Sequence, residues 1–522
     1  MGHWRHLADS ANGANLAARV KDLILAIDQG TTGTTVLVVD QKLTVRARGY
    51  REVPQIYPRP GEVEHDPEAI WASVTGAIGD ALAPGDAERL AAIGITNQRE
   101  TTLLWERRSG RPDANAIVWQ DRRTAPQCAE LKAAGHEDFV RRRTGLVLDP
   151  YFSATKIKWL LENVQGLRER AEAGEIAFGT VDSFLVWRLS GERVHATDVT
   201  NASRTLLFDL ETMRFSDDLC EIFDVPTQIL PEVRPSAGRF AETRGVPGLP
   251  DGVPIAGVAG DQQAALFGQD CVDTGDAKCT FGTGAFLLMN VGARPTPSQR
   301  GLLTTVAWTL SEDVAAASTG NSTGPRARTA YALEGSAFVA GALVQWLRDG
   351  LGIIAKAADV EALARSVPDS GGVSIVPALA GLGAPHWRPD ARGLISGVTR
   401  GTTKAHLARA ALEAIAMQNV DLLRAMQADA GHPITGLRVD GGASANDLLM
   451  QLQADLSGLQ IFRPEMVEST ALGAAKLAAR GVGLPRTDRT SNTARVRIFN
   501  PSLPAAAREE MLARWHTVVT RA

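Results

Sequence analysis

The chain has 522 residues, of which 44% are hydrophobic and 22% are charged, a composition typical of a globular protein too long for one core. The formal net charge of −4, without any dense Lys/Arg stripe, gives no electrostatic reason to expect a nucleic-acid partner. No run approaches the ~20 apolar residues of a membrane span, and the scattered cysteines form no C-x-x-C pair, which favours a reducing, cytoplasmic location.

The first informative segment is a predicted hairpin near the N-terminus. Residues 1–22 lack the apolar core of a signal peptide and are expected to be a disordered extension. The apolar runs Leu23–Ile27 and Val36–Val39 then flank Asp-Gln-Gly-Thr-Thr-Gly-Thr at 28–34. Such a turn exposes backbone N–H groups and Thr hydroxyls, which are the donors that surround a phosphate chain, and Asp28 is placed to hold magnesium or its water shell. An ordinary hairpin with Gly and Thr in its turn is the alternative.

Polar residues directly follow three other predicted strands. Leu90–Thr96 runs into Asn97-Gln98-Arg99-Glu100, and Val253–Gly260 runs into Asp261-Gln262-Gln263 and a short helix. Leu437–Val439 runs into Asp440-Gly441-Gly442. Because ligands gather at the carboxyl ends of strands in open α/β sheets, these junctions are the expected site.

A second hairpin resembles the first. The predicted strands Ala277–Phe281 and Phe286–Val291 flank Gly282-Thr283-Gly284-Ala285, again a Gly/Thr link between buried runs. Two such hairpins about 250 residues apart indicate a duplicated architecture with one copy in each domain-sized half. A nucleotide held between the two halves would use both hairpins.

Two further segments complete the outline of the second half. Apolar residues recur at three- and four-residue intervals over 404–427, which predicts a core helix that ends before Gly431-His432-Pro433. Small polar residues dominate 309–330, which is expected to be a surface loop.

Long segments of the chain resemble the FGGY carbohydrate kinases. The matching stretches are Ala92–Thr102, Tyr151–Lys156, Gly260–Gly268 and Gly381–Pro385. The resemblance implies an α/β fold of two ribonuclease-H-like domains of the actin/hexokinase/Hsp70 type, here 23–270 and 271–522, with a nucleotide cleft between them. It also implies ATP and Mg²⁺ as cofactors and a homo-oligomer, a dimer or a tetramer.

The chemistry of the predicted substrate pocket suits a small polyol. A triol has three hydroxyls and almost no apolar surface, so its site needs converging donors and acceptors. Arg99 donates, Glu100 accepts, and Tyr151 and Gln262 can do both. The resemblance implies that these residues bind glycerol, that Trp119 and Phe286 face its carbon backbone, and that Asp261 contacts the hydroxyl that is phosphorylated. Asp261 is therefore the expected general base, because a hydroxyl is a poor nucleophile at neutral pH.

The resemblance also assigns a nucleotide and metal set. The expected metal residues are Asp28 and Asp261. The expected contacts to phosphates and adenosine are made by Thr31, Thr32, Gly33, Thr283, Gly341, Gln345, Gly442 and Asn446. One position departs from the family: its first hairpin continues Thr-Thr-Ser-x-Arg, and Thr35 stands here in place of that Arg. A cationic contact to the transferred phosphate is therefore missing from this hairpin.

The function implied by the resemblance is ATP-dependent phosphorylation of glycerol to sn-glycerol 3-phosphate, the entry step of glycerol catabolism. An FGGY kinase for another sugar or polyol is one alternative. A catalytically weak nucleotide-binding homologue is another, kept open by Thr35. An actin- or chaperone-like ATPase would lack the Arg99-Glu100 and Asp261-Gln262 pairs.

Overall fold

The protein is described by a computed structural model that covers residues 21–311, 328–388, 390–465, 468–484 and 496–522. The expected N-terminal extension and residues 312–327 of the expected loop lie outside these ranges. No helix in the described ranges is long and apolar enough to cross a lipid bilayer.

The first half of the chain alternates strands and helices. Its strands are β1 (Leu23–Gln29), β2 (Gly33–Asp40), β3 (Val45–Glu52), β4 (Glu64–His65), β5 (Leu90–Asn97), β6 (Leu103–Glu106), β7 (Ala116–Ile117), β8 (Ile176–Gly179), β9 (Ala196–Asp198), β10 (Phe208–Asp209), β11 (Arg214–Phe215), β12 (Glu232–Arg234), β13 (Ala237–Glu242) and β14 (Pro254–Gly260). Its helices are α1 (Pro67–Ala81), α2 (Ala125–Ala133), α3 (Glu137–Thr144), α4 (Ser153–Asn163), α5 (Leu167–Glu172), α6 (Val181–Leu189), α7 (Val199–Ala202), α8 (Asp217–Ile222) and α9 (Asp261–Gly268).

The second half has the same alternation with longer helices. Its strands are β15 (Ala277–Phe281), β16 (Ala285–Gly292), β17 (Leu303–Leu310), β18 (Arg328–Ala337), β19 (Ser374–Val376), β20 (Leu394–Ser396), β21 (Leu437–Asp440), β22 (Ile461–Pro464) and β23 (Val496–Phe499). Its helices are α10 (Gly341–Asp349), α11 (Asp359–Arg365), α12 (Lys404–Ala430), α13 (Asp447–Ser457), α14 (Ser469–Gly481) and α15 (Ala505–Val519).

Both predicted hairpins are confirmed, and they occupy equivalent places. β1 and β2 pair antiparallel while β1 also pairs parallel with β5, and β14 continues the parallel set. In the second half β15 pairs antiparallel with β16 and parallel with β21. Each hairpin turn thus lies at the carboxyl end of a parallel strand, where the sequence placed the ligand site.

The sheets of the two halves join into one. Among the described residues, the order is β23-β22-β21-β15-β16-β18-β17-β13-β14-β5-β1-β2-β3. The connection between the halves runs through β13 and β17, where Ala237 pairs with Leu310. The prediction of a loop over 309–330 is wrong at both ends, because Thr309 and Leu310 belong to β17 and residues 328–330 belong to β18. Thr309 pairs with Thr329 and Leu310 pairs with Arg328, so the two strands are paired up to these residues.

Two helices cover this sheet near the junction of the halves. The predicted core helix is confirmed as α12, which begins after a capping box between Thr403 and His406 and ends at Gly431 in the left-handed conformation (φ 72°). Helix α14 crosses β14, β5 and β1. It approaches so closely that a Cβ atom on Gly94 or Gly257 would overlap its backbone. A helix of the second half is therefore packed directly on the sheet of the first.

Candidate active site

Asp261 lies where β14 ends and α9 begins. The preceding residue, Gly260, is held in place because its backbone N–H donates a hydrogen bond to the Thr200 hydroxyl at 2.8 Å. The Asp261 carboxylate accepts from the Gln262 backbone N–H at 2.7 Å, and its side chain is 32% exposed. A carboxylate at a helix N-terminus is stabilised by the unpaired backbone donors there, and this one remains accessible from solvent.

The Arg99 guanidinium lies beside Asp261 and is buried. Its Nε is 3.2 Å from an Asp261 carboxylate oxygen. Its two terminal nitrogens donate to Glu334 at 2.6 and 2.9 Å, with weaker contacts to Gln263 Oε1 at 3.2 Å and Tyr151 Oη at 3.4 Å. The two terminal nitrogens of Arg99 thus have acceptors, and its Nε forms an ion pair with Asp261. The hydrogen bond to Tyr151 is the longest of these contacts, so it is the easiest for a bound hydroxyl to replace.

Glu334 is the functional residue that the sequence reasoning missed. It comes from β18 in the second half, is fully buried, and bonds both Arg99 and Arg204, the latter at 3.0 Å. Arg204 Nε in turn donates to Glu100 Oε1 at 2.6 Å, and Glu100 Oε1 lies 3.8 Å from Arg99 Nε. Burial raises the pKa of Glu334, but the charges of Arg204 and Arg99 outweigh it and bring the pKa down to about 2. Two arginines and two glutamates thus form a closed, charge-balanced ring behind the pocket.

The backbone of the pocket is fixed by a buried lysine. Glu100 adopts a left-handed φ of 60°, which is costly for a residue with a side chain. Lys156 donates to the Tyr151 carbonyl at 2.6 Å and approaches the Glu100 carbonyl at 3.5 Å, and the Ser153 hydroxyl donates to the same Glu100 carbonyl at 3.1 Å. Burial lowers the pKa of Lys156 to about 8. These contacts hold the segments around Glu100 and Tyr151 at a fixed distance from each other.

Aromatic rings form another wall of the pocket. The Trp119 ring meets Tyr151 edge-on at 5.6 Å and Phe286 edge-on at 6.3 Å between centroids. Phe286 is on β16, so this wall also spans both halves. The indole N–H of Trp119 donates to the Thr31 hydroxyl at 2.9 Å. The structure thus brings all the predicted polyol residues together and links them to the first hairpin.

The first hairpin turn is compact around Gly33. A Cβ atom there would lie 2.6 Å from the Tyr50 hydroxyl and 2.7 Å from the Arg51 carbonyl oxygen, so only glycine fits. The turn closes with a hydrogen bond from Gly30 N–H to the Gly33 carbonyl at 2.9 Å, and Thr32 is exposed at its tip. The turn therefore lies directly after β1, the strand that contains Asp28.

The second hairpin turn is joined to α10 and to the loop after β21. The Thr283 carbonyl accepts from Ala340 and Ala342 N–H at 2.8 and 3.0 Å, which fixes Gly341 against Gly282. A Cβ on Gly341 would lie 3.9 Å from Ala443, so the loop containing Gly442 is adjacent. Gln345 is exposed one turn along α10. Asn446 is the N-cap of α13, where its side-chain oxygen accepts a hydrogen bond from the Leu449 N–H at 2.9 Å.

The charges at Asp28 fit a divalent cation. Burial raises the pKa of Asp28 to about 8, and the nearby charges of Asp261 and Glu468 add to the rise. Carboxylates that destabilise one another in this way are stabilised by a cation. No group of three His, Cys, Asp or Glu side chains in the described ranges is arranged to hold a metal directly.

Thr35 occupies the row of the sheet that contains Asp28. It pairs with Asp28 on β1 and with Tyr50 on β3, and it is 8% exposed. Side chains paired across strands lie on the same face, so a longer cationic residue at position 35 would lie beside Asp28. In this chain that place is taken by a short neutral hydroxyl.

Comparisons with known proteins identify the class. The N-terminal domain of the FGGY family of carbohydrate kinases matches residues 23–268, and the C-terminal domain of that family matches residues 277–482. The chain belongs to this family of kinases. The predicted fold of two α/β domains with a nucleotide cleft is thereby confirmed.

Within the family, the chain is similar to glycerol kinases. It is 54% identical to the glycerol kinase of Myxococcus xanthus over 96% of this chain and 99% of that protein. It is also 54% identical to the glycerol kinase of Alkalilimnicola ehrlichii, over 96% and 98%. The crystal structure of Plasmodium falciparum glycerol kinase with ADP superposes with a TM-score of 0.86 at 33% identity, covering 96% of this chain and 98% of that one.

Proposed function

We propose that the protein transfers the terminal phosphoryl group of ATP to a primary hydroxyl of glycerol, giving sn-glycerol 3-phosphate and ADP. The observation that carries the proposal is the arrangement of side chains around Asp261. Charged and amide groups lie on one side, Trp119 and Phe286 lie on the other, and the Asp261 side chain is 32% exposed. A short polyol offers hydroxyls to the first side and C–H groups to the second. The similarity to glycerol kinases over nearly the whole chain supports the same substrate.

In the proposed reaction Asp261 accepts the proton of the attacking hydroxyl. The oxygen forms a bond to the γ-phosphorus as the bond from that phosphorus to the bridging oxygen of ADP breaks. Little covalent help is needed for this transfer, so positioning and charge neutralisation supply most of the acceleration. Arg99 orients the base through its ion pair with the Asp261 carboxylate, and the ring of Glu334, Arg204 and Glu100 keeps Arg99 in place.

We propose that the two hairpin turns hold the phosphates through backbone N–H groups and Thr hydroxyls. Thr31, Thr32 and Gly33 contribute the first turn and Thr283 the second. Gly341, Gln345, Gly442 and Asn446 would contact the diphosphate and adenosine. Asp28 and Asp261 would hold Mg²⁺ through its water shell, and the ion would neutralise charge on the transferred phosphoryl group.

Three further expectations belong to the same proposal. The division between the domains is expected near residue 270, between the segments that match the two family domains. A homo-oligomer and a cytoplasmic location stay predictions.

The test is a coupled ADP-release assay on the purified full chain with ATP and Mg²⁺. Glycerol, erythritol, xylulose and no acceptor are compared at equal concentrations. We expect release that depends on glycerol and is weak with the longer acceptors, because the donors and acceptors around Asp261 would leave extra hydroxyls and carbons without matching partners. Faster release with xylulose would favour another FGGY kinase. Equal release without any acceptor would contradict the proposal.

A further inference from the structure

Lys278 is a buried lysine at the junction of the halves. It lies on β15, four residues before the second hairpin turn, and its side chain has no exposed surface. Fully buried lysines are rare unless their ammonium group is paired. Here the ammonium donates to the side-chain oxygen of Gln262 on α9 and to the Thr280 hydroxyl at 2.7 Å. The first of these bonds reaches the residue directly after the proposed base.

This bond fixes the orientation of the Gln262 amide. An ammonium group has only donors, so the Gln262 atom facing Lys278 has to be the carbonyl oxygen. The amide nitrogen then faces the other way, and it lies 3.3 Å from the Asp261 carboxylate. The reversed amide would place N–H against ammonium and oxygen against carboxylate, which is unfavourable on both sides. Gln262 therefore presents only N–H donors to the pocket.

The carboxylates of Asp440 and Asp261 favour the charged form of the buried Lys278 ammonium. Burial lowers the pKa of Lys278, whereas Asp440 and Asp261 act in the opposite direction. Asp440 is held by Gln269 and Ser469 through one oxygen, and its other oxygen is buried without a hydrogen-bond partner. Thr280 pairs with Asp440 across the strands, and Lys278 shares the face of β15 with Thr280.

We propose that Lys278 is a positioning residue for the acceptor polyol: it turns the Gln262 amide so that its N–H groups face Asp261 and a substrate hydroxyl. This inference rests on the proposed function. The contact joins β15 of the second half to α9 of the first. The proposed polyol site is therefore complete only when the two halves are in this position relative to each other. Lys278 touches neither Asp261 nor, on this account, the substrate.

The test replaces Lys278 by Met, which has similar volume but no donor, and measures steady-state ADP release on the full chain. We expect the KM for glycerol to rise on the order of tenfold, the loss typical of one buried hydrogen-bonding group. The KM for ATP and kcat should change by less than about threefold, because the phosphate contacts are untouched and Asp261 keeps its short hydrogen bond from the Gln262 backbone N–H. The control is Lys476→Met, which removes a mostly buried ammonium at the other end of α9, bonded to Gly268 and Asp270, and should leave the glycerol KM unchanged.

A double-mutant cycle separates positioning from general damage to the fold. With Gln262→Ala present, Lys278→Met should raise the glycerol KM no further, because the amide it orients is gone. Lys278→Arg keeps a donor and should stay within about threefold of the wild type, which also tests the inference if the Met variant fails to fold.

An unchanged glycerol KM in Lys278→Met, or a full additional loss in the double variant, would overturn the inference while leaving the proposed function intact. Wild-type protein that releases no ADP in response to glycerol would overturn both.

Discussion

Replacing Glu334 by Gln tests whether the buried ring of charges holds the pocket together. The substitution keeps the shape of the side chain and removes the charge that balances Arg99 and Arg204. The fall in the pKa of Glu334 from its ordinary 4.5 to about 2 corresponds to about 3 kcal/mol of favourable interaction for the ionised carboxylate. Removing one member of a buried ion pair typically costs about 3–5 kcal/mol, which agrees with that value. We therefore expect a loss of about 3 kcal/mol in stability at neutral pH.

The assay is chemical denaturation followed by tryptophan fluorescence, for the wild type and Glu334→Gln, from pH 7 to pH 3. The pKa of Glu334 is lower in the folded chain than in the unfolded chain. Its contribution is therefore fully present above about pH 4.5 and is lost as the pH falls towards 2. The difference between the two proteins should be constant near neutrality and should shrink below pH 4.5.

The matched control is Glu509→Gln, which breaks an exposed pair with Arg424 and should change stability little. A Glu334→Gln variant as stable as the wild type would refute the reasoning, because the two arginines would then not need the carboxylate. So would a difference that grows as the pH falls below 4.5.

Two further substitutions test the links between the polyol pocket and the first hairpin. Thr35→Arg places a cation beside Asp28. We expect turnover to be retained with a severalfold lower KM for ATP. A large loss of activity would argue against the alignment of this hairpin with the family. Trp119→Phe keeps an aromatic ring but removes the hydrogen bond to the Thr31 hydroxyl, so the KM for ATP should rise by about two- to tenfold in steady-state assays, the range expected for one hydrogen bond. An ATP KM equal to that of the wild type would show that Thr31 does not depend on Trp119.

The parts of the molecule that the sequence predicts well are those with a local signal. The two hairpins have apolar runs on both sides of Gly/Thr turns, and α12 has a long helical period with a glycine after it. The polar residues after β5 and β14 follow buried strands, so their meeting at one edge of the sheet was predictable. The resemblance to the family then supplied the roles expected of them.

The residues that the sequence did not predict have roles that depend on partners far away in the sequence. Glu334 and Lys278 stand inside apolar strands, and the Glu334 contact with Arg99 joins positions 235 residues apart. A lone charge in a buried strand does signal that a partner is required, but the sequence does not say which one. The prediction for the ends of the loop at 309–330 was wrong for a similar reason. β17 and β18 are extended by pairing with each other, and small polar residues give no local signal of such pairing.

The central claim is that Asp261 accepts the proton of the glycerol hydroxyl, and Asp261→Asn tests it most directly. The amide is nearly isosteric but is not a base, so kcat for glycerol-dependent ADP release should fall on the order of 10²–10⁴-fold. The surface control Asp251→Asn, in a turn where an amide can still accept from the Gly245 N–H, should keep wild-type activity. A folded Asp261→Asn protein that turns over glycerol at the wild-type rate would contradict the account.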